Sequence, residues 1–491
     1  MDVTVKTKRK RNMSKPRVGI LCAMHLILAV GVSLMLHACK PSLLEHPAQL
    51  VFKPLAFPFP HVDQVTLSNG VVVYLLEDHE LPLFNLTALI RTGSVNDPPD
   101  KVGLASLTGT VMRTGGTRFM SGDDINETLE FMAGSMETGI GRNVGSASLS
   151  VLKKDTDKGL KIFSDVLMYP VFAEDQVDLA KKKQMEAIRR RNDDPQSIAF
   201  RELRKGIFEN NPRGRVPTLE SIANVKREDL VSFHRTYFHP NNLIVGVSGD
   251  FKRDEIIRKL EAAFKEWVPG EIAFPPLGLP EARDEGTVYY AHKALPQSTI
   301  AMGHLTIGKA DPDFFPLTVL NFIVGGGGFK SRLMSEIRSN QGLAYSVGSI
   351  YRAEVDYGIF AAYCFTKSDT TLKSISLIRE IVEQVKQEGV SVEELEWAKS
   401  SIINNFIFEF TSPSQIVHKR VAIAYNKLPK EFLETYRERI MAITVDDVNR
   451  VAADYLHPDR MVLVVVGNSD DFDGPLSQMG TVREIALEET F

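Results

Sequence analysis

The sequence predicts an α+β fold of two homologous lobes, each a mostly antiparallel sheet packed against helices, arranged like a clamshell around a central cleft. Three observations lead to this prediction. The 491 residues exceed what one hydrophobic core usually serves. Short apolar runs of strand type alternate with longer segments of helical period. A block near the end of the first half recurs near the end of the second, and duplicated lobes commonly enclose a ligand cleft.

The first residues have the pattern of an export signal. Basic residues up to Arg17 precede an apolar run from Val18 to Leu36. The run leads into Leu36-His37-Ala38-Cys39, which resembles the bacterial box that directs lipid onto a cysteine. We therefore predict a signal peptide over residues 1–38, a lipidated Cys39 and a Pro-rich tether over residues 39–61. The alternative is an uncleaved transmembrane anchor, because the run is long enough to span a bilayer.

This start predicts a lipoprotein of the bacterial cell envelope that faces the periplasm. Lys40 follows the cysteine in place of an aspartate, which favours the outer membrane. Loss of residues 1–38 would take the net charge from −4 to about −10, so we do not expect nucleic-acid binding. Cys22 leaves with the signal and Cys39 would carry lipid. Cys364 then stands alone as a buried small hydrophobe, without a disulfide framework or thiolate zinc cluster.

The first half of the chain begins with strands and continues with helices. Asn69-Gly70 lies between the apolar runs 65–67 and 71–74, which is a strong hairpin signal. A further strand is predicted over Phe84–Arg91. Helices are predicted over residues 157–169, 176–191 and 227–237, and a strand over Leu243–Ser248. Together these elements form the predicted N-terminal lobe, residues 62–268.

A Pro-rich stretch separates this lobe from a second block of the same kind. The predicted linker covers residues 269–285, the C-terminal lobe residues 286–475 and a tail residues 476–491. Tyr237-Phe-His-Pro240 and the apolar run after it reappear as Tyr455-Leu-His-Pro458 and its own apolar run, at a constant offset of 218 residues. An ungapped match of this length indicates an internal duplication.

Several motifs together resemble the insulinase/pitrilysin family of zinc peptidases, which includes the mitochondrial processing peptidase. They are Leu67-Ser-Asn-Gly-Val-Val-Val73, Arg91-Thr-Gly-Ser94, Val102-Gly-Leu-Ala105, the Tyr-x-His-Pro that closes each lobe, Gly325-Gly-Gly-Gly-Phe-Lys-Ser-Arg-Leu333 and Gly342-Leu-Ala-Tyr-Ser346. The resemblance runs from about Val62 to Gly467. It implies a two-lobed fold and a peptide substrate.

The zinc motif of that family is replaced in this chain. Active relatives carry His-x-x-Glu-His on the helix after Gly-Leu-Ala, where two histidines bind zinc and the glutamate activates water. Here Ser106 and Thr110 stand at the histidine positions and Gly109 at the base. The further ligand aligns with Ala187, one residue from Glu186. Hydroxyls are poor zinc ligands and glycine has no carboxylate, so the resemblance implies no zinc in this chain.

Three other groups of residues have simpler explanations than a metal or nucleotide site. His234 and His239 are five residues apart and would point to different sides of a helix. Glu77, Asp78 and His79 follow a strand and would alternate faces, as at a solvated strand end. The glycine run 325–328 lacks the Gly-Lys-Ser/Thr order of a phosphate loop, so a turn with close backbone approach is the better interpretation.

Arg338 and Tyr345 match the substrate-side half of the family's active site. In active relatives an arginine and a tyrosine at this spacing fix a substrate carbonyl and donate to the oxyanion. Without the resemblance, a solvated helix arginine and a packed strand tyrosine would be the simpler interpretation.

One half of a site without the other suggests a division of labour between chains. The resemblance implies a zinc-free subunit of a heterodimeric metallopeptidase, inactive alone, with a homologous His-x-x-Glu-His-bearing partner that holds the zinc. The substrate would be an unstructured peptide held as an added strand on a sheet edge. The alternative is a non-enzymatic peptide-binding or structural protein of the same fold, or a family member that retains no activity.

Overall fold

The computed structural model of the protein describes residues 59–281 and 286–487. The predicted signal peptide, Cys39 and almost all of the tether lie outside the described residues. Within the described ranges, no helix combines the length and the hydropathy that a membrane span requires.

The first sheet has six strands in the order β1-β2-β6-β3-β5-β4. Its strands are β1 Asp63–Thr66, β2 Val72–Glu77, β3 Leu83–Ile90, β4 Ser135–Ile140, β5 Gly145–Leu152 and β6 Leu243–Gly249. Only β2 and β6 pair in parallel, and the other neighbours are antiparallel. The predicted hairpin joins β1 to β2, with Gly70 at a φ of 92° that glycine adopts without strain.

The second sheet repeats this arrangement in the order β12-β7-β11-β8-β10-β9. Its strands are β7 Val288–His292, β8 Gln297–Thr306, β9 Ala344–Ala353, β10 Gly358–Lys367, β11 Val462–Gly467 and β12 Val482–Glu484. Pairs β12–β7 and β7–β11 are parallel and the remaining three are antiparallel. The prediction of two mostly antiparallel sheets in an α+β protein is confirmed. Cys364 is fully buried in β10.

Fourteen α-helices are found in the described residues. They are α1 Leu104–Thr114, α2 Gly122–Phe131, α3 Thr156–Met168, α4 Glu174–Arg190, α5 Pro195–Phe208, α6 Leu219–Asn224, α7 Arg227–Tyr237, α8 Arg253–Ala263, α9 Phe314–Asn321, α10 Thr371–Glu388, α11 Val392–Ile407, α12 Pro413–Tyr425, α13 Phe432–Ala442 and α14 Val445–Tyr455. The predicted helices correspond to α3, α4 and α7 within two residues at each end.

The structure bears out the internal duplication element by element. Helices α7 and α14 begin and end at positions 218 residues apart. Strands β6 and β11, which follow them, occupy the third place in their respective sheets. The repeated block is therefore the same helix-to-central-strand unit in both halves.

One helix from each half of the chain packs against the sheet of the other half. Helix α5 packs on β11 and β8 of the second sheet, and α12 packs on β6 of the first. Glycines permit the close approach: a Cβ on Gly206 would lie 2.6 Å from Val462 Cγ1, and one on Gly246 would lie 2.4 Å from Val417 Cγ1. Both contacts are closer than side-chain packing allows. This exchange was not predicted from the sequence.

Candidate functional site

Helix α1, where the family resemblance would place the zinc motif, is fixed at its start by a buried carboxylate. Asp97 is 2% exposed and accepts hydrogen bonds from the backbone N–H groups of Gly103 (2.8 Å) and Ala105 (2.9 Å). These are two of the N–H groups that a helix leaves without an internal partner. Burial raises the pKa of the Asp97 carboxyl to about 7, against the opposing effect of the two hydrogen bonds and Arg215.

Ser106 and Thr110 lie on the exposed face of α1, one turn apart. The Thr110 hydroxyl donates to the backbone carbonyl of Ser106 at 3.0 Å. Such a bond satisfies the hydroxyl within the helix, as threonine in a helix commonly does. This face therefore presents two neutral hydroxyl groups, one of which is already engaged.

Gly109 is buried against the edge strand β4. A Cβ at this position would lie 2.4 Å from the backbone nitrogen of Ile140 and 2.7 Å from the carbonyl carbon of Gly139. Thr138 donates its hydroxyl to the carbonyl of Gly109 at 2.6 Å and holds helix and strand together. No side chain, and least of all a glutamate, fits here without a shift of the backbone.

Ala187 and Glu186 are exposed on α4, which packs beside α1. The Glu186 carboxylate lies 3.7 Å from the Arg189 guanidinium. Across residues 59–281 and 286–487, no group of three or more His, Cys, Asp or Glu side chains is placed to hold a metal ion. Two hydroxyls, a glycine and a methyl group at the four family positions do not fit a zinc ion.

The first sheet carries a group of hydroxyl and amide side chains next to the first turns of α12. Cross-strand pairing places Ser248, Asn85, Ser150 and Ser135 in one row over four strands, and Thr87 and Ser148 in the next. These six residues, here called the hydroxyl face, line a cavity of about 340 Å³ together with the first turns of α12. Ser148 and Ser150 alternate with apolar residues in β5, a pattern typical of a strand with one polar face, but this face was not among the predicted site residues.

Arg338 and Tyr345 lie close together in the second half. Arg338 belongs to a π-helical turn, Met334–Asn340, and Tyr345 to the start of the edge strand β9. Ser346 pairs with Phe365 and Ala344 with Thr366, so Tyr345 is the extra residue of a β-bulge. Bulges redirect a side chain out of the regular pleat, and Tyr345 is 81% exposed.

The Arg338 guanidinium lies between two aromatic rings. Its central carbon is 4.8 Å from the centroid of Phe329 and 5.2 Å from that of Tyr345. Both distances are in the range of a cation–π interaction. Phe329 is 66% exposed, and in the described part of the chain no carboxylate forms an ion pair with Arg338. In the sequence, Phe329 was only the residue that broke a phosphate-loop pattern.

The two groups of predicted residues remain separate within the chain. Among the described residues, no hydrogen bond, ion pair or ring contact connects Arg338 or Tyr345 with α1 or α4. The two other predicted histidine groups are also separate from these residues. His234 Nε2 lies 2.9 Å from the carbonyl oxygen of Leu167, its ring stacks on Phe238, and burial lowers its pKa to about 4. His79 is exposed and pairs with Asp250 at 2.6 Å.

Comparison with known proteins gives two family matches that follow one another along the chain. Residues 72–218 match the insulinase family (peptidase family M16), and residues 224–402 match the peptidase M16 inactive domain. Similar curated proteins include the non-peptidase homolog YmxG of Helicobacter pylori, 25% identical over 81% of this chain and 92% of that protein. An uncharacterized zinc protease of Rickettsia bellii is 25% identical over 79% of this chain and 93% of its own length.

Solved structures show the same fold. The crystal structure of a peptidase M16 inactive domain from Pseudomonas fluorescens aligns with a TM-score of 0.77 and 24% identity, over 83% of this chain and 98% of that one. The periplasmic protease PqqL from Escherichia coli aligns with a TM-score of 0.69 and 16% identity, over 87% of this chain and 49% of its own. Because the two family matches cover about two thirds of the chain, as its motifs had indicated, this protein belongs to the insulinase family, peptidase family M16.

Proposed function

We propose that this protein is the zinc-free subunit of a heterodimeric M16 metallopeptidase and helps to bind and orient unstructured peptides. One observation carries the proposal: Tyr345 is exposed beside a half-buried Arg338 that forms no ion pair with a described carboxylate, while Gly109 has no space for a side chain against β4. The chain therefore offers substrate-side groups without a place for metal chemistry of its own. A homologous partner with an intact His-x-x-Glu-His motif would supply the zinc.

Arg338, Tyr345 and Phe329 together have the character of an interaction site. Arginine and tyrosine dominate the residues whose truncation weakens protein interfaces most. Phe329 and Tyr345 contribute little to a core from their exposed positions, and their stacking holds the guanidinium in a defined direction. A positioned guanidinium can fix a peptide carbonyl, and a phenol beside it can donate to an oxyanion.

The edges of both sheets suit an extended peptide. Strands β4 and β9 are edge strands with one neighbour each among the described strands. An added strand along β9 would pass Tyr345, and one along β4 would run beside the hydroxyl face. Main-chain hydrogen bonds at such an edge accept many sequences, which fits an unstructured substrate.

A lipid on Cys39 and a periplasm-facing position at the outer membrane are part of this proposal. Their support is the sequence pattern of residues 1–39. Phe59, near the end of the predicted tether, makes edge contacts with Phe406 and Phe410 at centroid distances of 6.1 and 5.0 Å, so packing against the folded part begins before residue 61.

A non-enzymatic peptide-binding or structural protein is the second candidate. It is favoured by the loss of every zinc-motif side chain and by the similarity to a protein named as a non-peptidase homolog. Under this alternative the hydroxyl face and the Arg338 stack would bind a peptide or protein without cleavage.

The two candidates differ in what the protein does with a partner. Affinity purification of the lipidated chain from its own envelope, followed by a cleavage assay on an unstructured peptide, separates them. The first candidate expects a co-purifying M16 chain with His-x-x-Glu-His and cleavage that needs both chains. A complex that binds peptides but contains no such chain would support the second.

A further inference from the structure

A second cavity, of about 410 Å³, lies beside the far end of β9 and is separate from the Arg338 stack. Its lining includes Lys309 from the loop after β8, Thr318 and Asn321 from α9, and Tyr351, Arg352 and Glu354 from the end of β9 and the turn after it. The volume is in the range of small-molecule sites. None of these residues takes part in the proposed function.

The two basic side chains of this cavity form no close ion pair in the described chain, although the Glu354 carboxylate acts on Lys309 from a longer distance. Neither Lys309 nor Arg352 forms an ion pair within 4.0 Å or a side-chain hydrogen bond with any described residue. Lys309 is half-buried, and burial lowers the pKa of its ammonium group. A half-buried cation without a partner costs free energy that a bound anion would offset.

Other groups in and near the cavity indicate which charge and which hydrogen-bonding groups a ligand would need. The amide oxygen of Asn321 accepts from the Ser349 hydroxyl at 2.8 Å, which leaves its N–H groups without a described acceptor. Glu354 also lines the cavity and has no ion pair in the described chain. Arg142, at the tip of the β4–β5 hairpin, is near enough to Arg352 and Glu354 for their charges to act on it. Lys419 and Glu409 pair with each other beside the cavity, so its three cations, Lys309, Arg352 and Arg142, face two carboxylates, Glu354 and Asp311.

We propose that this cavity binds a small multivalent anion whose carboxylate or phosphate oxygens are held by Lys309 and Arg352. The planar guanidinium can hold two oxygens at once, and the ammonium group supplies a point charge. The Asn321 amide can donate a further hydrogen bond. Because two cations line the cavity against one carboxylate, an anion with two or more negative charges gains more from the site than a monovalent one.

Isothermal titration of the full purified chain tests the proposal, with pyrophosphate and citrate as probes at fixed ionic strength. We expect saturable one-site binding with a Kd of about 1 mM or tighter for at least one probe. Lys309→Gln and Arg352→Gln should each weaken it by about tenfold or more, since each removes a charge-assisted contact. Glu354→Gln should tighten it, because a neighbouring negative charge is removed.

Exposed cations outside the cavity provide the control: Arg258→Gln and Lys265→Gln should leave the affinity unchanged. Binding of pyrophosphate alone identifies a phosphate site, binding of citrate alone a carboxylate site, and binding of both a general oxyanion site. Absence of saturable binding by either probe overturns the proposal. Wild-type affinity in both the Lys309 and Arg352 variants overturns it as well, because the anion would then bind elsewhere.

Discussion

Thr138 donates its hydroxyl to the backbone carbonyl of Gly109 at 2.6 Å, and this bond joins the helix at the former zinc position to the edge of the first sheet. The helix and strand are so close that Gly109 has no space for a Cβ. The position that the family resemblance assigns to the catalytic base is therefore tightly packed, and a glutamate would not fit there without further substitutions.

Gly109→Ala should lower the free energy of unfolding by about 1–3 kcal/mol, as overpacking typically does. At a relaxed helix position the same change would add about 1 kcal/mol of stability, so the sign is diagnostic. Gly139→Ala is the control, because a Cβ there meets nothing within 4 Å, and its effect should stay within about 0.5 kcal/mol. Urea unfolding of the three proteins gives both values. A stabilised Gly109→Ala protein would contradict the packing described.

The purified chain should bind no stoichiometric zinc and cleave no peptide alone. The physical reason is that Ser106, Gly109, Thr110 and Ala187 offer no imidazole, thiolate or carboxylate ligand. Elemental analysis of dialysed protein measures this directly. One tightly held zinc per chain that disappears on mutation of Glu186 or His79 would show that a site exists elsewhere.

Tyr345→Phe should lower turnover by the reconstituted pair about 100- to 1,000-fold, or roughly 3 to 4 kcal/mol, if its hydroxyl donates to the oxyanion. Folding should be unaffected, because the ring is exposed and its stack with Arg338 is retained. Arg338→Ala should mainly weaken peptide binding, since a carbonyl contact acts on ground and transition states alike. Steady-state cleavage by the mixed subunits measures both effects, with a pull-down to confirm assembly. Wild-type rates in both variants would favour the binding-protein alternative.

The mature protein should begin at a lipid-modified Cys39, as the sequence Leu36-His37-Ala38-Cys39 indicates. Mass spectrometry of the membrane fraction determines the N-terminus and its modification. Cys39→Ala should abolish the lipid modification and the membrane attachment that depends on it. Unchanged membrane attachment with an intact N-terminal segment would instead indicate an anchor.

Stability should depend on pH through Asp97. Its folded-state pKa of about 7 lies above the ordinary value near 4, so between these pH values the folded chain holds a proton that the unfolded chain has released. The free energy of unfolding should therefore fall as the pH rises from about 4 to about 7. Asp97→Asn should remove this slope, whereas Asp124→Asn, at an exposed helix start, should retain it. If the free energy of unfolding depends on pH equally in wild type and Asp97→Asn, the two N–H contacts offset the effect of burial on the Asp97 pKa.

Much of the secondary structure could be predicted because its signals are local. The hairpin at Asn69-Gly70, the periodicity of α3, α4 and α7, and the repeated Tyr-x-His-Pro blocks each depend on neighbouring residues. The exchange of α5 and α12 could not be predicted this way. An amphipathic pattern shows that a helix buries one face, but it does not show which sheet covers that face.

The candidate site was predictable only in part, for a related reason. The spacing of Arg338 and Tyr345 identified the pair, but the bulge that turns Tyr345 outward depends on its register with Phe365 and Thr366. The contact between Phe329 and Arg338 depends on a π-helical turn that has no simple sequence signal. The cavity at Lys309 is formed by residues from three separate segments.

The exchange of helices makes the two halves of the molecule interlocked. A chain cut in the linker would yield an N-terminal fragment whose α5 has no sheet to cover, and a C-terminal fragment with the same defect in α12. The N-terminal fragment would expose Leu89 and Ile244 on its uncovered sheet face, and the C-terminal fragment would expose Val462 and Val464. We therefore expect that neither repeat folds on its own, and that deletion of one repeat would destabilise the other.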